Sequence, residues 1–346
     1  MTDFDAELWF HRRASFYVES QVLFHLNQCG VFAAMADGRC FSSAELAMEL
    51  QLERGPLQAC LEYISSMDSI LSESEEGGFV LTESGQKVLE RFGRSTPTGP
   101  AINLFDVRVG GYGPVWSALG ALIRGEKTYG AEVSRAGELA AEGVYKIGER
   151  MAPGLARVLE ELPVGVEVEL GVTTGLLERM SQRGPARMRV GMDRSQEALL
   201  QADKRARLSS QTDLNWIQGD FFESLESLGT LKPRQDVVFF SVHFHEFLAQ
   251  GRAAVVAWLK SLRGAFPGAW VVALEHPAMD GQAGTEVLRL YSASNRFIHH
   301  LIGNGHILSP REWTALFEES GAQVRAVQDL GYLGYQAWVV ELLEEA

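Results

Sequence analysis

Cysteine is scarce: Cys29, Cys40 and Cys60 are the only three in 346 residues. Their number is odd, no two stand as Cys-x-x-Cys, and all lie near the N-terminal end, so neither a disulfide framework nor a zinc finger is expected and the usage suits a reducing compartment. Long apolar runs are missing as well. No stretch approaches 18 consecutive apolar residues, so no helix is expected to cross a membrane. The opening segment, MTDFDAELWFHRR, is acidic and amphipathic where a secretory signal would be basic and then apolar, and a cytoplasmic location is expected. Positive charge is the third shortage. Against 45 Asp and Glu stand 31 Lys and Arg, a formal net charge of −14. Such a field repels nucleic acid and anionic lipid, so neither is expected as a partner. With 46% hydrophobic and 22% charged residues the chain is an ordinary globular protein, and its length favours two domains over one.

What is present changes character near the middle. Residues 14–36 place Phe16, Val18, Val22, Leu23, Leu26, Val31 and Phe32 mostly at helical spacing. Ser42 and Ser43 precede AELAMEL, Leu57 to Ile64 reads as another helix, and a turn at Glu76-Gly77-Gly78 joins short strands around Ile70–Leu71 and Phe79–Leu81 before Thr82 opens a further helix. Helix, helix, hairpin, helix is the order of a winged helix. Its helices carry few basic residues, so residues 1–100 are expected to dimerise rather than to bind DNA. RSTPTGPA at 94–101 reads as a linker, and helical segments at 113–124 and 135–160 fill a region, 101–160, expected to contribute to a substrate pocket. From Val164 onward short apolar strands alternate with helices, at 166–170, 188–192, 214–217, 236–241, 269–275, 323–328 and 335–342. The expected fold class is α/β: a doubly wound, Rossmann-like, mainly parallel seven-stranded sheet over 161–346, ending in an antiparallel hairpin around Gly331 and Gly334, behind a mainly helical N-terminal domain.

The first of these strands ends in the motif VEVELGVTTG, residues 166–175, in which Glu169 closes the strand and Gly171 and Gly175 flank a turn. An acidic residue there holds a ribose-bearing ligand at the carboxyl edge of the sheet. The dinucleotide fingerprint fails, because Thr173 and Leu176 occupy its second and third glycine positions, and there is no Gly-Lys-Ser/Thr of a P-loop. What remains is a ribose-bearing ligand without phosphate. Asp193, closing VGMD, is placed to accept from both ribose hydroxyls; Asp220 in QGDFF can accept from an adenine amino group while Phe221 packs on the ring; Ser241 ends the following strand at the same edge. Carboxylates at Glu169, Asp193 and Asp220 suit a cationic ligand.

Taken in order, ELGVTTG, GMD, GDFF, VHFHEF and ILSPREWTALFEESGAQV resemble class I S-adenosylmethionine-dependent methyltransferases over nearly the whole chain. The closer likeness is to the small-molecule O-methyltransferase superfamily with an N-terminal winged-helix dimerisation domain. The resemblance implies S-adenosylmethionine as cofactor, a small-molecule acceptor and a homodimer. That family carries glycine where this chain has Thr173, which crowds the loop beside the methionine part of the cofactor.

Four of the eight histidines fall in two pairs. His243 and His245 follow QDVVFFS at its carboxyl end, with Glu275 closing VVALE beside them; His299 and His300 end the helical segment 285–301. In O-methyltransferases of the superfamily the residue matching His245 is a general base that needs no metal, with Glu275 to orient it and His243 as a neighbouring contact. Yet His245, Glu275 and His299 are also a two-histidine, one-carboxylate set. Their separations, 245 to 275 and 275 to 299, resemble those of bacterial α-keto acid C-methyltransferases that act on phenylpyruvate, branched keto acids or 2-ketoarginine. There a divalent or ferric metal ion, iron or zinc, would polarise the keto acid and stabilise its enolate, with Glu246 or a metal-bound hydroxide taking the β-proton. Helix phase leaves His300 competing with His299 for the inward position. Arg108, Tyr112, Trp116 and Arg124 are substrate candidates, Arg108 as carboxylate contact, along with His300; His276 and His306 read as surface or loop residues. The leading expectation is metal-assisted C-methylation of an α-keto acid in the making of a β-methyl amino acid. Metal-independent O-methylation with His245 as base is the first alternative. A winged-helix regulator that senses S-adenosylmethionine is the second, and the acidic charge argues against it.

Overall fold

The computed structural model describes residues 3–67, 70–75, 77–92, 104–163, 165–182, 188–211, 213–222, 225–231, 236–242, 244–279 and 284–344. They form two compact units, Met1–Gly143 and Val144–Ala346.

In the first unit a long helix, Asp3–Gln28, is followed by helices Ser43–Leu50 and Arg54–Ser66, an antiparallel pair of strands, β1 (Leu71–Glu73) and β2 (Phe79–Leu81), and the helix Glu83–Phe92. The order is the one the sequence predicts. Ser42 starts its helix through a capping box: its hydroxyl accepts from Glu45 N at 3.2 Å while the Glu45 carboxylate accepts from Ser42 N at 2.7 Å, which satisfies two backbone donors that a helix start leaves orphaned. Val31, Phe32, Met35, Leu46, Leu61, Ile64 and Leu71 close the core. The linker read at 94–101 lies outside the described residues. Between Val107 and Gly111 the chain makes a π-helix, with Tyr112 N donating to Val107 O at 2.9 Å. This wide turn is not a period that apolar spacing reveals. The Phe24 ring occupies the space that a Cβ at Gly110 would need.

The second unit is built on β3 (Val166–Leu170), β4 (Met188–Asp193), β5 (Leu214–Gln218), β6 (Val237–Ser241), β7 (Trp270–Glu275), β8 (Gln323–Asp329) and β9 (Gln336–Glu341). They line up as β5-β4-β3-β6-β7-β9-β8, all parallel except β9, which runs antiparallel to both neighbours. Every residue of β3 and β6 is buried, as expected of strands covered on both faces. Phe239, Leu259, Val271, Trp313, Phe317 and Trp338 anchor the core. The register that pairs Glu167 with Arg189 also joins them as a buried ion pair, Nε to Oε2 2.7 Å. At one margin β8 alternates between exposed and half-buried residues and breaks register at a bulge between Val324 and Ala326, where Arg325 Nε donates to Glu341 Oε2 at 2.6 Å.

Because β4 and β5 build outward from β3 in one direction and β6 and β7 in the other, the strand order reverses between β3 and β6. A doubly wound sheet leaves a crevice for ligands at the carboxyl end of that junction. Ser241 Oγ donates to Leu170 O at 2.6 Å and ties the two strand ends together. Among the described residues no helix is long and apolar enough to cross a membrane.

Candidate active site

On the β3 side the turn after Leu170 needs both of its glycines. Gly171 and Gly175 have φ of +85° and +62°, a region costly for other residues, and a Cβ on Gly175 would collide with the Tyr145 ring. Glu169 is fully buried and turned into this loop. It accepts from Thr174 Oγ1, from Leu177 N at 2.9 Å and from Leu176 N at 3.3 Å, so it caps the helix Leu176–Ser181, which has no side-chain cap of its own at Gly175. Burial, reinforced by the nearby Glu178, pushes its carboxyl up to about 7 against the pull of those hydrogen bonds. Two arginines hold the loop from outside: Arg205 Nη2 donates to Val172 O at 3.3 Å and Arg179 Nη1 to Gly175 O at 2.8 Å. Both guanidinium groups sit on the Tyr145 ring, 3.9 Å (Arg179) and 4.6 Å (Arg205) from its centre.

The other two acids at this edge also bind backbone. Asp193 accepts from Val172 N at 3.1 Å and Ser195 N at 2.8 Å; Asp220 accepts from Phe222 N at 2.9 Å. A carboxylate has about four acceptor positions, so Asp193 keeps capacity to accept from hydroxyl donors such as those of a ribose. Phe221, which the sequence places against a purine, is buried 5.2 Å from Phe247 and 6.4 Å from Trp258, and its carbonyl accepts from Trp258 Nε1 at 2.7 Å. Its ring belongs to the core.

On the β6 and β7 side a one-turn helix, Phe244–Phe247, carries His245, 8% exposed. Its Nδ1 lies 2.8 Å from Glu275 Oε2, and its backbone N donates to Glu275 Oε1 at 3.0 Å. One carboxylate thus fixes both the turn and the ring, setting the tautomer with hydrogen on Nδ1 and the lone pair on Nε2. Burial works to lower the imidazole pKa; the charge and hydrogen bond of Glu275, with help from Glu246, outweigh it and hold His245 above the usual histidine value.

The helix Glu286–Leu301 settles its own phase. His299 presents its ring edge-on to His245, centroids 4.4 Å apart at 79°, while His300 is exposed and lies 5.8 Å from the His306 ring. The loop that follows clamps the His245 turn: Asn304 Nδ2 donates to Glu246 Oε1 at 2.8 Å, Asn304 N donates to His299 O at 2.9 Å, and Gly305, at φ +81°, leaves no room for a Cβ against the His245 carbonyl. Nothing in the sequence singled out Asn304 or Gly305.

The structure differs from the sequence expectation at the metal set and at His276. His245, Glu275 and His299 come together, but Glu275 faces the Nδ1 side of the His245 ring, away from Nε2, so the three do not converge as a metal-binding facial set does. Among the described residues no group of three His, Cys, Asp or Glu side chains is arranged to hold a metal ion. His276 is not a surface residue: it is 1% exposed and lies 4.6 Å from the Tyr291 ring and 5.5 Å from Tyr335. It extends the buried run of β7, which is the signal that was available. Arg124 donates to both carboxylate oxygens of Glu126, at 2.6 and 2.9 Å, on the surface. In the first unit Arg108 lies on the π-helix, its carbonyl accepting from Trp116 Nε1 at 2.7 Å, and Trp116 stacks on Tyr112 at 5.8 Å and 30°. His243 lies outside the described residues.

No protein-family model matches the chain, and a search of curated proteins returns no relative. Solved structures do resemble it. The mitomycin 7-O-methyltransferase MmcR superposes with a TM-score of 0.73 at 15% identity, over 97% of this chain and 98% of its own. Human N-acetylserotonin methyltransferase in complex with SAM gives 0.70 at 17% identity, over 98% of each chain. CalO1, a methyltransferase of calicheamicin biosynthesis in an SAH-bound form, gives 0.69 at 18%, over 98% and 99%. At these identities the likeness establishes a shared fold along the whole chain.

Proposed function

We propose that the chain is an S-adenosylmethionine-dependent O-methyltransferase acting on a small molecule, with His245 as its general base. The observation that carries this reading is the doubly bonded pair of His245 and Glu275, at 2.8 and 3.0 Å, at the carboxyl ends of adjacent strands next to the strand-order reversal. Full-length likeness to proteins described as methyltransferases, one crystallised with SAM and one with SAH, supports it. When bound, S-adenosylmethionine supplies an electrophilic methyl group on a cationic sulfonium. His245 Nε2 accepts the proton of the acceptor hydroxyl as that oxygen becomes nucleophilic, and Glu275 holds the Nδ1 hydrogen and stabilises the imidazolium without itself taking the proton. Asp193 offers its remaining lone pairs to ribose hydroxyls.

Metal-assisted C-methylation is not carried forward, because it needs Glu275 on an ion and Glu275 is spent on His245. We further propose a homodimer: Trp9, Phe10, Phe16 and Tyr17 on the helix Asp3–Gln28 are 49 to 67% exposed, an apolar surface that suits a protein partner. The test is to incubate the protein with methyl-labelled S-adenosylmethionine and a panel of phenols and α-keto acids, and to locate the label in the product by NMR. Label on oxygen, lost in His245→Asn, supports the reading. Label on the β-carbon of a keto acid overturns it.

A further inference from the structure

A groove of about 410 Å³ opens on the second unit where the helix Glu286–Leu301 meets the loop 302–309. Arg296, Phe297 and His300 line it from the helix, His306 and Ile307 from the loop, and no Asp or Glu lines it. In a chain with a net charge of −14, a concavity walled by a guanidinium offers an anion a local positive group. Its size falls in the range of small-molecule sites.

The chemistry of the walls narrows the ligand. The His300 and His306 rings both line the groove and lie 5.8 Å apart at 32°. Glu312 feels the charge of Arg296, but its Oε2 is already engaged by Ser309 N at 2.8 Å and Ser309 Oγ at 2.7 Å in the cap of the next helix. Arginine pairs best with planar, two-oxygen anions. Phe297, 48% exposed, adds an aromatic face beside it. We propose that this groove binds a small aromatic carboxylate, its carboxylate on Arg296 with His300 and His306 as further donors, its ring against Phe297 and Ile307. The site adjoins the catalytic turn through one residue: Gly305, which also lines the groove, packs on the His245 carbonyl. This inference goes beyond the methyltransferase reading and does not depend on it.

Titration calorimetry on the full-length protein tests it with benzoate, cyclohexanecarboxylate and inorganic phosphate. Benzoate is expected to bind, the non-aromatic acid and phosphate more weakly. Arg296→Gln should weaken benzoate by at least about tenfold, the loss of one charged hydrogen-bonded pair, and His300→Asn with His306→Asn by several-fold. S-adenosylmethionine binding in the same variants should stay unchanged, which separates this groove from the cofactor edge. No benzoate binding to the unaltered protein, an Arg296→Gln variant that binds as well as the parent, or phosphate binding as tightly as benzoate would overturn the proposal.

Discussion

The two halves of one sheet edge use the same residue type in opposite ways. At the ends of β3, β4 and β5 the acids Glu169, Asp193 and Asp220 each accept from backbone N–H groups; at the end of β7 Glu275 accepts from a backbone N–H and from an imidazole. Carboxylates on the first side shape loops. The carboxylate on the second side orients an imidazole. A strand-end acid is therefore defined by what it holds, and under the proposed function the consequences of removing it differ: loop geometry and cofactor affinity on one side, catalysis on the other.

The strongest break is His245→Asn, which should cut kcat by about 10² to 10⁴ with S-adenosylmethionine affinity and Tm unchanged; steady-state kinetics beside calorimetry measure all three. Glu275→Gln should cost on the order of 10² in kcat, because the tautomer is no longer set. It should also move the acid limb of the kcat/KM profile to lower pH. The unaltered base is held above the ordinary histidine value and is free only above it; without the acid, burial prevails and the imidazole titrates lower. A limb that stays in place would separate Glu275 from the base.

On the loop-shaping side the expected effect is on stability. Glu169 is raised in the folded protein to about 7 from an ordinary 4.5. Its contribution is thus fully present below about 4.5 and lost as pH rises towards 7, at about 1.4 kcal/mol per pKa unit, or roughly 3 kcal/mol across the window. Glu169→Gln should flatten that slope, read from urea unfolding at pH 5 and pH 8. The smallest effect belongs to Asn304→Ala, which removes one hydrogen bond to Glu246 and loosens the clamp on the His245 turn. We expect a several-fold fall in kcat, on the order of 1 kcal/mol for one hydrogen bond, with KM unchanged.

The sheet was legible in the sequence because its strands are buried runs with sharp ends: the seven readings match the observed strands to within one residue at each end. Capping chemistry was equally local, as at Ser42 and Glu45. The site was legible in kind but not in geometry. That His245 and Glu275 meet follows from their places at the ends of neighbouring parallel strands. Whether His299 or His300 turns inward depends on a rotation of one residue about a helix, and the turn that carries His245 is clamped by Asn304 and Gly305, far along the chain. His276 is buried because Tyr291 and Tyr335, both later in the chain, pack on its ring.

The bulge in β8 has a bearing on how copies of this chain can meet. With its register broken at Val324 and Ala326 and Arg325 turned to Glu341, the outermost strand offers no flat row of backbone groups for another strand to continue. The sheet is finished at that margin, so a second copy of the chain cannot extend it there by strand pairing.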